Sequence, residues 1–303
     1  MKPFILTQCS YFGESDHYYR DQAVFVSNGR IEKIVPMNQV SQWPVGVERI
    51  NAGGNLVAPG FIDIQVNGGG GVMFNEQPTA AGIAAIRRGH WAGGTTAMLP
   101  TLITDDAEKM AQAVDAVAFA LENVPGIVGI HLEGPHINLA KRGVHAANKI
   151  RAFDAFTATL LKRLPARHYL LTVAPEVLPV GSIAAWVKQG IRVSAGHSMA
   201  SYEQIRTALA EGLSCFTHLY NAMTPMTSRE PGVVGAALED QQSYCGLIVD
   251  GFHLHPTVAK LAISAKPRGK VLLVTDAMAV VGSARHHFEL YGEKIYALGW
   301  PLR

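Results

Sequence analysis

Eight short apolar runs, separated by loops and helical patterns, constrain the fold of this chain more than any other feature. From residue 56 onward the sequence repeats strand, loop and helix. Apolar strands that alternate with helices are typical of a parallel sheet covered on both faces, and eight such units predict an α/β fold of the (β/α)8, TIM-like barrel type. The predicted strands are Phe61–Val66, Thr95–Leu99, Ile127–Leu132, Tyr169–Val173, Ile191–Ser194, Cys215–His218, Gly246–Val249 and Val271–Val274.

Helix-start signals fall between these strands. Asp105 and Glu108 have the spacing of a capping box, and Ser201 and Gln204 repeat it before the next helical pattern. An open doubly wound sheet is the structural alternative. It is disfavoured because no G-x-G-x-x-G turn follows the first strand, and the glycine run at 68–71 has a different spacing.

The first 55 residues have a different pattern. Phe4–Leu6, Ala23–Val26 and Ile31–Val35 are short β-type runs, and the last two are separated by the turn signal Ser27–Arg30. This pattern predicts a small antiparallel β unit. We therefore expect two domains, a β domain at 1–55 and a barrel at 56–303.

Composition excludes several classes of protein. The chain has 303 residues, 48% of them hydrophobic, and a net charge of +2 without a basic run, which does not predict nucleic-acid binding. Cys9, Cys215 and Cys245 are far apart and form no C-x-x-C pair, which favours a reducing compartment. No run approaches a membrane span and the N-terminal apolar stretch is short for a signal peptide, so we expect a cytoplasmic protein without membrane contact.

Polar residues at the ends of the predicted strands indicate a metal site. In a barrel, functional side chains lie at the carboxyl ends of the strands. Glu133, His197 and His218 stand at three such ends, and one carboxylate with two imidazoles is a ligand set of catalytic zinc sites. Bound zinc lowers the pKa of water to about 7. Asp276, at the end of strand 8, is placed to take a proton from that water and deliver it to a leaving group.

His131 stands two residues before Glu133, on the same side of the strand. This position is compatible with a metal ligand, but we favour a residue that orients the ligands or packs near them. The H-x-E pattern resembles that of zinc nucleobase deaminases, but the P-C-x-x-C that those enzymes require is absent.

The motifs taken together resemble those of the amidohydrolase superfamily and, within it, the N-acetylglucosamine-6-phosphate deacetylases. The matches follow family order from the first strand to the eighth and cover nearly the whole chain. They are Pro59–Gly68, Leu99–Thr104, His131–Pro135, Ser194–Ser198, Thr217–Met223, Arg229–Gly232, Asp250–His253 and Val274–Ala277.

The resemblance implies a site with a single divalent metal. Most amidohydrolases carry H-x-H on strand 1, where this chain has Gln65 and Asn67, both poor zinc ligands. The resemblance places the metal on the Glu133, His197 and His218 set, with Asp276 as general base and acid. Zinc is the expected metal, and iron is an alternative because histidine and carboxylate ligands accept both.

The resemblance also implies the substrate. It would be a phosphorylated sugar, N-acetylglucosamine 6-phosphate, hydrolysed to glucosamine 6-phosphate and acetate. His145 matches the position that polarises the acetamide carbonyl, and Arg229 is a suitable bidentate phosphate donor. The positions implied to contact substrate are Val144, His145, Asn221, Ala222, Arg229, Asp250, Gly251, Phe252 and His253. In the family Arg229 and His253 serve the neighbouring subunit, which implies a homodimer or higher homo-oligomer.

The C-terminal end departs from the resemblance. Residues 283–296 predict the start of a small hairpin, and the final five residues, 299–303, do not resemble the family. We expect a chain shortened at this end, with the outer faces of strands 8 and 1 uncovered and reduced stability. Two alternatives stay open: a non-catalytic remnant that binds metal or sugar phosphate, and another amidohydrolase such as a cyclic-amide hydrolase or deaminase.

Overall fold

The computed structural model describes residues 2–43 and 45–297 of the chain. Residues 299–303, which depart from the family resemblance, lie outside the described residues. The chain divides into two compact units, Met1–Gly60 and Phe61–Arg303. Within the described ranges, no helix combines the length and the hydropathy needed to cross a membrane.

The first unit is a four-stranded sheet in the order β3-β2-β1-β4. Its strands are β1 (Phe4–Phe12), β2 (Tyr18–Ser27), β3 (Arg30–Pro36) and β4 (Glu48–Asn51). The first three pair antiparallel, as predicted, whereas β4 pairs parallel to β1. The antiparallel pairing of the three predicted strands is confirmed, and the parallel strand β4 was not predicted. All four residues of β4 are exposed, so its sequence has no apolar pattern from which a strand could be predicted.

The turn between β2 and β3 follows from its sequence. Ser27 pairs with Arg30, which leaves Asn28 and Gly29 as a two-residue loop with φ values of 52° and 74°. Positive φ at both positions is the geometry that Asn-Gly favours, because its twist matches that of the flanking strands. The sheet buries Ile5, Ala23 and Trp43 in a small apolar core.

The second unit is built on an eight-stranded sheet whose strands follow chain order, β5 and then β8 to β14, each parallel to its neighbour. All eight predicted barrel strands are confirmed, two with the predicted bounds, Phe61–Val66 and Tyr169–Val173, and six with shifted ends. The strands of this unit are β5 (Phe61–Val66), β6 (Gly68–Gly69), β7 (Val72–Met73), β8 (Thr95–Ile103), β9 (Ile130–Glu133), β10 (Tyr169–Val173), β11 (Arg192–Ala195), β12 (Cys215–Phe216), β13 (Tyr244–Leu247), β14 (Val271–Leu273), β15 (His287–Leu290) and β16 (Glu293–Tyr296).

Helices connect the barrel strands and cover the sheet. They are α1 (Ala80–Trp91), α2 (Ala107–Asn123), α3 (Ala155–Leu160), α4 (Ser182–Lys188), α5 (Tyr202–Ala210), α6 (Gly232–Glu239) and α7 (Pro256–Ala265). The apolar stripe of α2 is buried at Met110, Val114 and Val117, as its spacing predicts. The antiparallel pair β15 and β16 confirms the hairpin predicted within 283–296.

One of the two predicted capping boxes is confirmed. Ser201 Oγ accepts from the Gln204 N–H at 3.3 Å, and Gln204 Oε1 accepts from the Ser201 N–H at 2.9 Å. The other is wrong, since α2 has Asp106 as its N-cap and no side-chain cap bond. Asp105 is fully buried and pairs instead with Lys149 and with Asn75 Nδ2. The carboxylate also accepts from Asp106 N at 2.9 Å and lies 3.5 Å from Lys109 Nζ, but it makes no cap bond to the first turn of the helix.

Backbone and side-chain hydrogen bonds close the barrel where β5 meets β14, among them the bond from Asp276 N to the Gln65 carbonyl at 2.9 Å. No strand ladder joins these two strands, and Val66 and Ala277 form an isolated bridge between the segments. The Asp63 carboxylate accepts hydrogen bonds from Thr275 Oγ1 at 2.6 Å, from Thr275 N at 3.2 Å and from Gln65 N at 3.1 Å. Three large apolar residues of these two strands, Phe61, Ile62 and Leu273, are 62%, 64% and 55% exposed.

Candidate active site

The structure brings the three predicted metal ligands together at one end of the barrel. Glu133 is the last residue of β9, while His197 and His218 each lie two residues beyond the ends of β11 and β12. The Nε2 atoms of the two histidines are 3.0 Å apart, and each lies 3.0 Å from Glu133 Oε1. All three side chains are buried, and their ligand atoms form a group able to hold a metal ion.

The donor chemistry of this cluster fits a divalent cation. His197 Nδ1 lies 2.8 Å from the Lys141 carbonyl oxygen, which can only accept, so this nitrogen carries the proton. The Nε2 lone pair of His197 therefore points at the Glu133 carboxylate. The Glu133 oxygens and the ring of His218 are two further acceptors beside this nitrogen. A cation with open coordination positions satisfies such a set, as in catalytic zinc sites.

Backbone conformation at the strand ends is unusual. His197, His218 and Asp276 have φ values of 49°, 33° and 50°. Positive φ is uncommon for residues other than glycine and costs about 1–3 kcal/mol at each position. Such conformations persist where the surroundings over-determine them, and they cluster at functional sites.

The charge of Glu133 is fixed by its two histidine neighbours. Burial alone raises the pKa of a carboxyl group, but the contacts with the rings of His197 and His218 outweigh it and hold the pKa of Glu133 well below its usual range. At His218 burial lowers the pKa, and the bond to Glu133 together with the charge of that residue outweighs it, so the pKa is raised. The cluster therefore presents an ionised carboxylate between two imidazoles.

Two amides of β5 and its following loop hold Asp276 in place. Asp276 Oδ1 accepts from Asn67 Nδ2 at 2.5 Å and from Gln65 Nε2 at 3.1 Å. The same Gln65 Nε2 lies 3.2 Å from Glu133 Oε1 and so bridges the two carboxylates. Burial and the charge of Glu133 raise the pKa of Asp276. The strand-1 positions that carry H-x-H in most amidohydrolases thus carry hydrogen-bond donors to carboxylates here.

His145 lies beside the cluster as a neutral hydrogen-bond donor. Its ring centroid is 4.4 Å from that of His197. The backbone N–H of Thr104 points at His145 Nδ1 over 3.3 Å, and Thr104 Oγ1 lies 2.7 Å from the same atom. An N–H cannot accept, so Nδ1 bears a lone pair and Nε2 bears the proton. Burial and the neighbouring His197 lower the pKa of His145 to about 3.

Thr104 is a site residue that the sequence did not single out. It lies immediately after β8. Its Oγ1 also lies 3.5 Å from the Glu133 carbonyl oxygen, and the Thr104 carbonyl accepts from Tyr291 Oη at 2.5 Å. The only sequence feature that could have indicated Thr104 is its position at the end of a strand. Threonine is common at such places, so position alone gives no role.

His131 does not join the metal cluster. Its Nδ1 lies 3.3 Å from Thr101 Oγ1 and its Nε2 lies 2.7 Å from Thr172 Oγ1, both inside the barrel. Burial lowers the pKa of His131 to about 4, which keeps the ring neutral. The interpretation of His131 as a packing residue near the ligands agrees with these contacts.

The remaining predicted residues lie on loops that follow the later strands. After β13, Asp250 Oδ1 accepts from the N–H groups of Phe252 and His253 at 2.8 Å each, and Asp250 Oδ2 lies 2.6 Å from His253 Nδ1. Gly251 in the same loop has a φ of 80°. The bond from His253 is one of several that, against burial, lower the pKa of Asp250.

The loop after β12 carries two more of these residues. Asn221 Nδ2 donates to the His218 carbonyl at 3.3 Å, and the Ala222 carbonyl accepts from Ser198 N at 3.0 Å. Both residues thus contact the backbone of the ligand-bearing loops. Arg229, before α6, and Val144, beside His145, are exposed.

Comparisons with known proteins agree with this geometry. The model of the amidohydrolase family matches residues 56–293. The chain is similar to the N-acetylgalactosamine-6-phosphate deacetylase of Shewanella sp. (strain ANA-3), with 48% identity over 251 residues, which are 82% of this chain and 64% of the relative. It is also similar to the N-acetylglucosamine-6-phosphate deacetylase of Haemophilus influenzae, with 35% identity over 298 residues, 97% of this chain and 76% of the relative. The chain thus spans less than two thirds of the Shewanella relative.

Solved structures give the same picture. N-acetylglucosamine-6-phosphate deacetylase from Pasteurella multocida superposes with a TM-score of 0.90 at 34% identity, covering 97% of this chain and 76% of that one. A mutant of the deacetylase from Mycobacterium smegmatis, in complex with N-acetyl-D-glucosamine-6-phosphate, superposes with a TM-score of 0.86 at 28% identity. The match covers 99% of this chain and 77% of that one.

Proposed function

The chain belongs to the amidohydrolase family, and from this premise we propose that it is a metal-dependent deacetylase of N-acetylglucosamine 6-phosphate. The products are glucosamine 6-phosphate and acetate, which places the reaction in amino-sugar catabolism. The observation that carries the proposal is the convergence of Glu133, His197 and His218, with Asp276 held against Glu133 by the Gln65 amide. The names of the relatives support the choice of substrate class.

We propose zinc as the metal, with iron as the competing occupant. Glu133 and the Nε2 atoms of His197 and His218 hold it. When bound there, a divalent metal supplies a water nucleophile at neutral pH and polarises the amide. Gln65 and Asn67 are engaged with carboxylates, which supports a single-metal site.

Asp276 and His145 divide the remaining chemistry. Asp276, whose pKa is raised by burial and by Glu133, takes the proton of the attacking water and delivers it to the amide nitrogen as the C–N bond breaks. His145 is neutral and carries its proton on Nε2, so it donates to the acetamide oxygen, where negative charge develops. Because the neutral imidazole of His145 keeps its Nε2 proton, it can donate at every pH at which Asp276 acts as a base.

Loop residues bind the sugar phosphate in this proposal. Arg229 offers a fork of N–H donors that matches a phosphate group. His253 is oriented by Asp250, and the backbone at Asn221 and Ala222 adjoins the ligand-bearing loops. Val144, Gly251 and Phe252 complete the proposed contact surface. We also propose a cytoplasmic homo-oligomer in which Arg229 and His253 act at the neighbouring subunit's site.

A second substrate is favoured by one comparison. The Shewanella relative, at 48% identity, is named for N-acetylgalactosamine 6-phosphate, which differs from the glucosamine compound at one ring carbon. The ligand cluster acts on the acetamide group that both sugars share. We therefore propose the galactosamine epimer as the alternative substrate of the same site.

Acetate release from each of the two sugar phosphates tests the proposal. The zinc-loaded chain should release acetate from at least one epimer, and the ratio of the kcat/KM values identifies the preferred one. A chain that binds zinc but releases no acetate from either would support the non-catalytic remnant. Ring opening of cyclic amides, or ammonia release from aminopurines, would instead support another amidohydrolase activity.

A further inference from the structure

Glu176 connects the two loops that surround the metal ligand His197. It lies in the short 3-10 turn Pro175–Val177 that follows β10, and its side chain is half-buried. Its Oε1 accepts from Asn138 Nδ2 at 3.0 Å and from Met199 N at 2.5 Å, and its Oε2 accepts from Ser198 Oγ at 2.7 Å. One carboxylate thus receives bonds from a loop on each side of the histidine.

The bond from Asn138 fixes the group that sets the tautomer of His197. With Nδ2 bound to Glu176, the Asn138 Oδ1 faces the N–H of Ala140 at 2.9 Å and caps the 3-10 turn Leu139–Lys141. The last residue of that turn, Lys141, presents its carbonyl to His197 Nδ1. The Asn138 N–H also donates to the His197 carbonyl at 2.9 Å.

The other two bonds hold the chain just after His197. Ser198 Oγ donates to Glu176 and accepts from the Ala200 N–H at 3.0 Å, and the Met199 N–H points at the same carboxylate. These contacts support a backbone that carries a positive φ at His197. A strained conformation of this kind persists only where neighbouring contacts enforce it.

We propose that Glu176 is a positioning residue for His197, acting through the Lys141 carbonyl and through the backbone at Ser198 and Met199. This inference rests on the proposed metal site, since its consequence is a preformed ligand orientation for a divalent cation. Groups that orient metal ligands in this way typically account for about 10–100-fold in metal affinity. Glu176 itself donates no atom to the cluster of Glu133, His197 and His218.

Zinc affinity, measured by competition with a chromophoric chelator, tests the inference without reference to activity. In Glu176→Ala all three bonds are lost, and we expect zinc to bind about 10–100-fold more weakly. Glu176→Gln keeps one acceptor oxygen for Asn138 and Met199, so it should recover part of this loss. Zinc affinity should therefore decrease from the parent to E176Q and from E176Q to E176A. If E176A does not fold, the comparison of E176Q with the parent still tests the inference.

Glu211→Ala is the matched control. Glu211 is also half-buried and lines the same surface groove as Glu176, and its carboxylate accepts from Gly181 N at 2.9 Å and Ala184 N at 3.3 Å. Those bonds lie at the start of α4 and not on a ligand loop. We expect E211A to change the thermal midpoint but to bind zinc within about twofold of the parent, because distant changes leave the ligand geometry intact.

Three outcomes overturn the inference in different ways. Equal zinc affinity of E176A and the parent overturns the role of Glu176 alone. Equal weakening in E176A and E211A assigns the effect to general stability and also overturns it. A parent chain that binds no zinc overturns the proposed metal site itself, and the role of Glu176 with it.

Discussion

The side-chain amide of Gln65 donates to Glu133 Oε1 over 3.2 Å, from the first barrel strand to the third. The same nitrogen reaches Asp276 Oδ1 at 3.1 Å. The buried carboxylate of Glu133 and the half-buried carboxylate of Asp276 would repel each other, and they share one neutral donor group. In the proposed mechanism, this amide separates Glu133, which stays ionised to hold a cation, from Asp276, which accepts and releases a proton.

Replacing Gln65 by Met removes the donor while keeping the length of the side chain. Glu133 and Asp276 then each lose a hydrogen bond in a buried setting, which costs about 1–3 kcal/mol for an unsatisfied group. We expect the free energy of unfolding in urea to fall by about that amount, and kcat to fall as well. Gln112→Met, on the exposed face of α2, is the control and should stay within about 0.5 kcal/mol. An equally stable Q65M chain would contradict this account.

Asp276→Asn separates proton transfer from metal binding. The asparagine oxygen can still accept from Asn67 and Gln65, but the basic oxygen is replaced by an amide. We expect acetate release to fall by at least about 100-fold, the lower bound for loss of a positioned general base. Zinc content, measured by elemental analysis, should match that of the parent. Loss of zinc together with activity would show that Asp276 is a metal ligand instead.

Both the backbone N–H and the hydroxyl of Thr104 lie against His145 Nδ1, so loss of the hydroxyl should loosen the imidazole and lower turnover. Thr104→Val removes the Oγ1 contact at 2.7 Å and leaves the backbone N–H in place, whereas Thr104→Ser keeps both. We expect kcat of T104V to fall by about two- to tenfold, the equivalent of one hydrogen bond worth about 0.5–1.5 kcal/mol. T104S should retain most of the activity.

Nitrogen-15 NMR of the parent checks the tautomer directly. The Nδ1 of His145, assigned by its absence in His145→Gln, should resonate as an unprotonated nitrogen at neutral pH. A protonated Nδ1 would contradict the donor role given to Nε2.

The buried His136 should make stability depend on pH. Burial lowers its pKa from 6.5, against the bond from its Nδ1 to the Arg151 carbonyl at 2.9 Å. Below pH 6.5 the unfolded chain therefore binds a proton that the folded chain refuses, so stability falls as the pH falls. This contribution is complete above pH 6.5 and has a slope of at most about 1.4 kcal/mol per pH unit.

His136→Asn removes this dependence. The asparagine Nδ2 can replace Nδ1 as donor to Arg151, so we expect a folded chain whose urea unfolding free energy declines less steeply between about pH 7 and pH 5. The measurement is made on zinc-free protein, because release of the metal at low pH would add its own slope. Parallel curves for the two proteins would contradict the prediction.

The sequence predicted the barrel and its ligands because both have strong local signals. Apolar runs ending in Glu133, His197 or His218 are visible without coordinates, and the barrel topology brings such ends together. The strand β4 had no such signal, since every residue from Glu48 to Asn51 faces solvent and its pairing with β1 is its only structural role described.

Roles that depend on distant partners were beyond the sequence. Asp105 has the local pattern of a helix cap, but its carboxylate pairs with Lys149, 44 residues away. The tautomer of His145 depends on a Thr104 N–H that lies 41 residues from it. Such contacts are decided by tertiary packing, where the chain brings donors and acceptors together over long separations.

The seam between β5 and β14 has a consequence for how the site is assembled during synthesis. Glu133 and His218 are separated by 85 residues, whereas Gln65 and Asp276 are separated by 211 and Asp63 and Thr275 by 212. Closing a longer loop costs more chain entropy and occurs later in folding. We expect an emerging chain to gather its metal ligands before its first and last strands meet. The ligand cluster would then be able to hold a cation before Asp276, the proposed general base, reaches it.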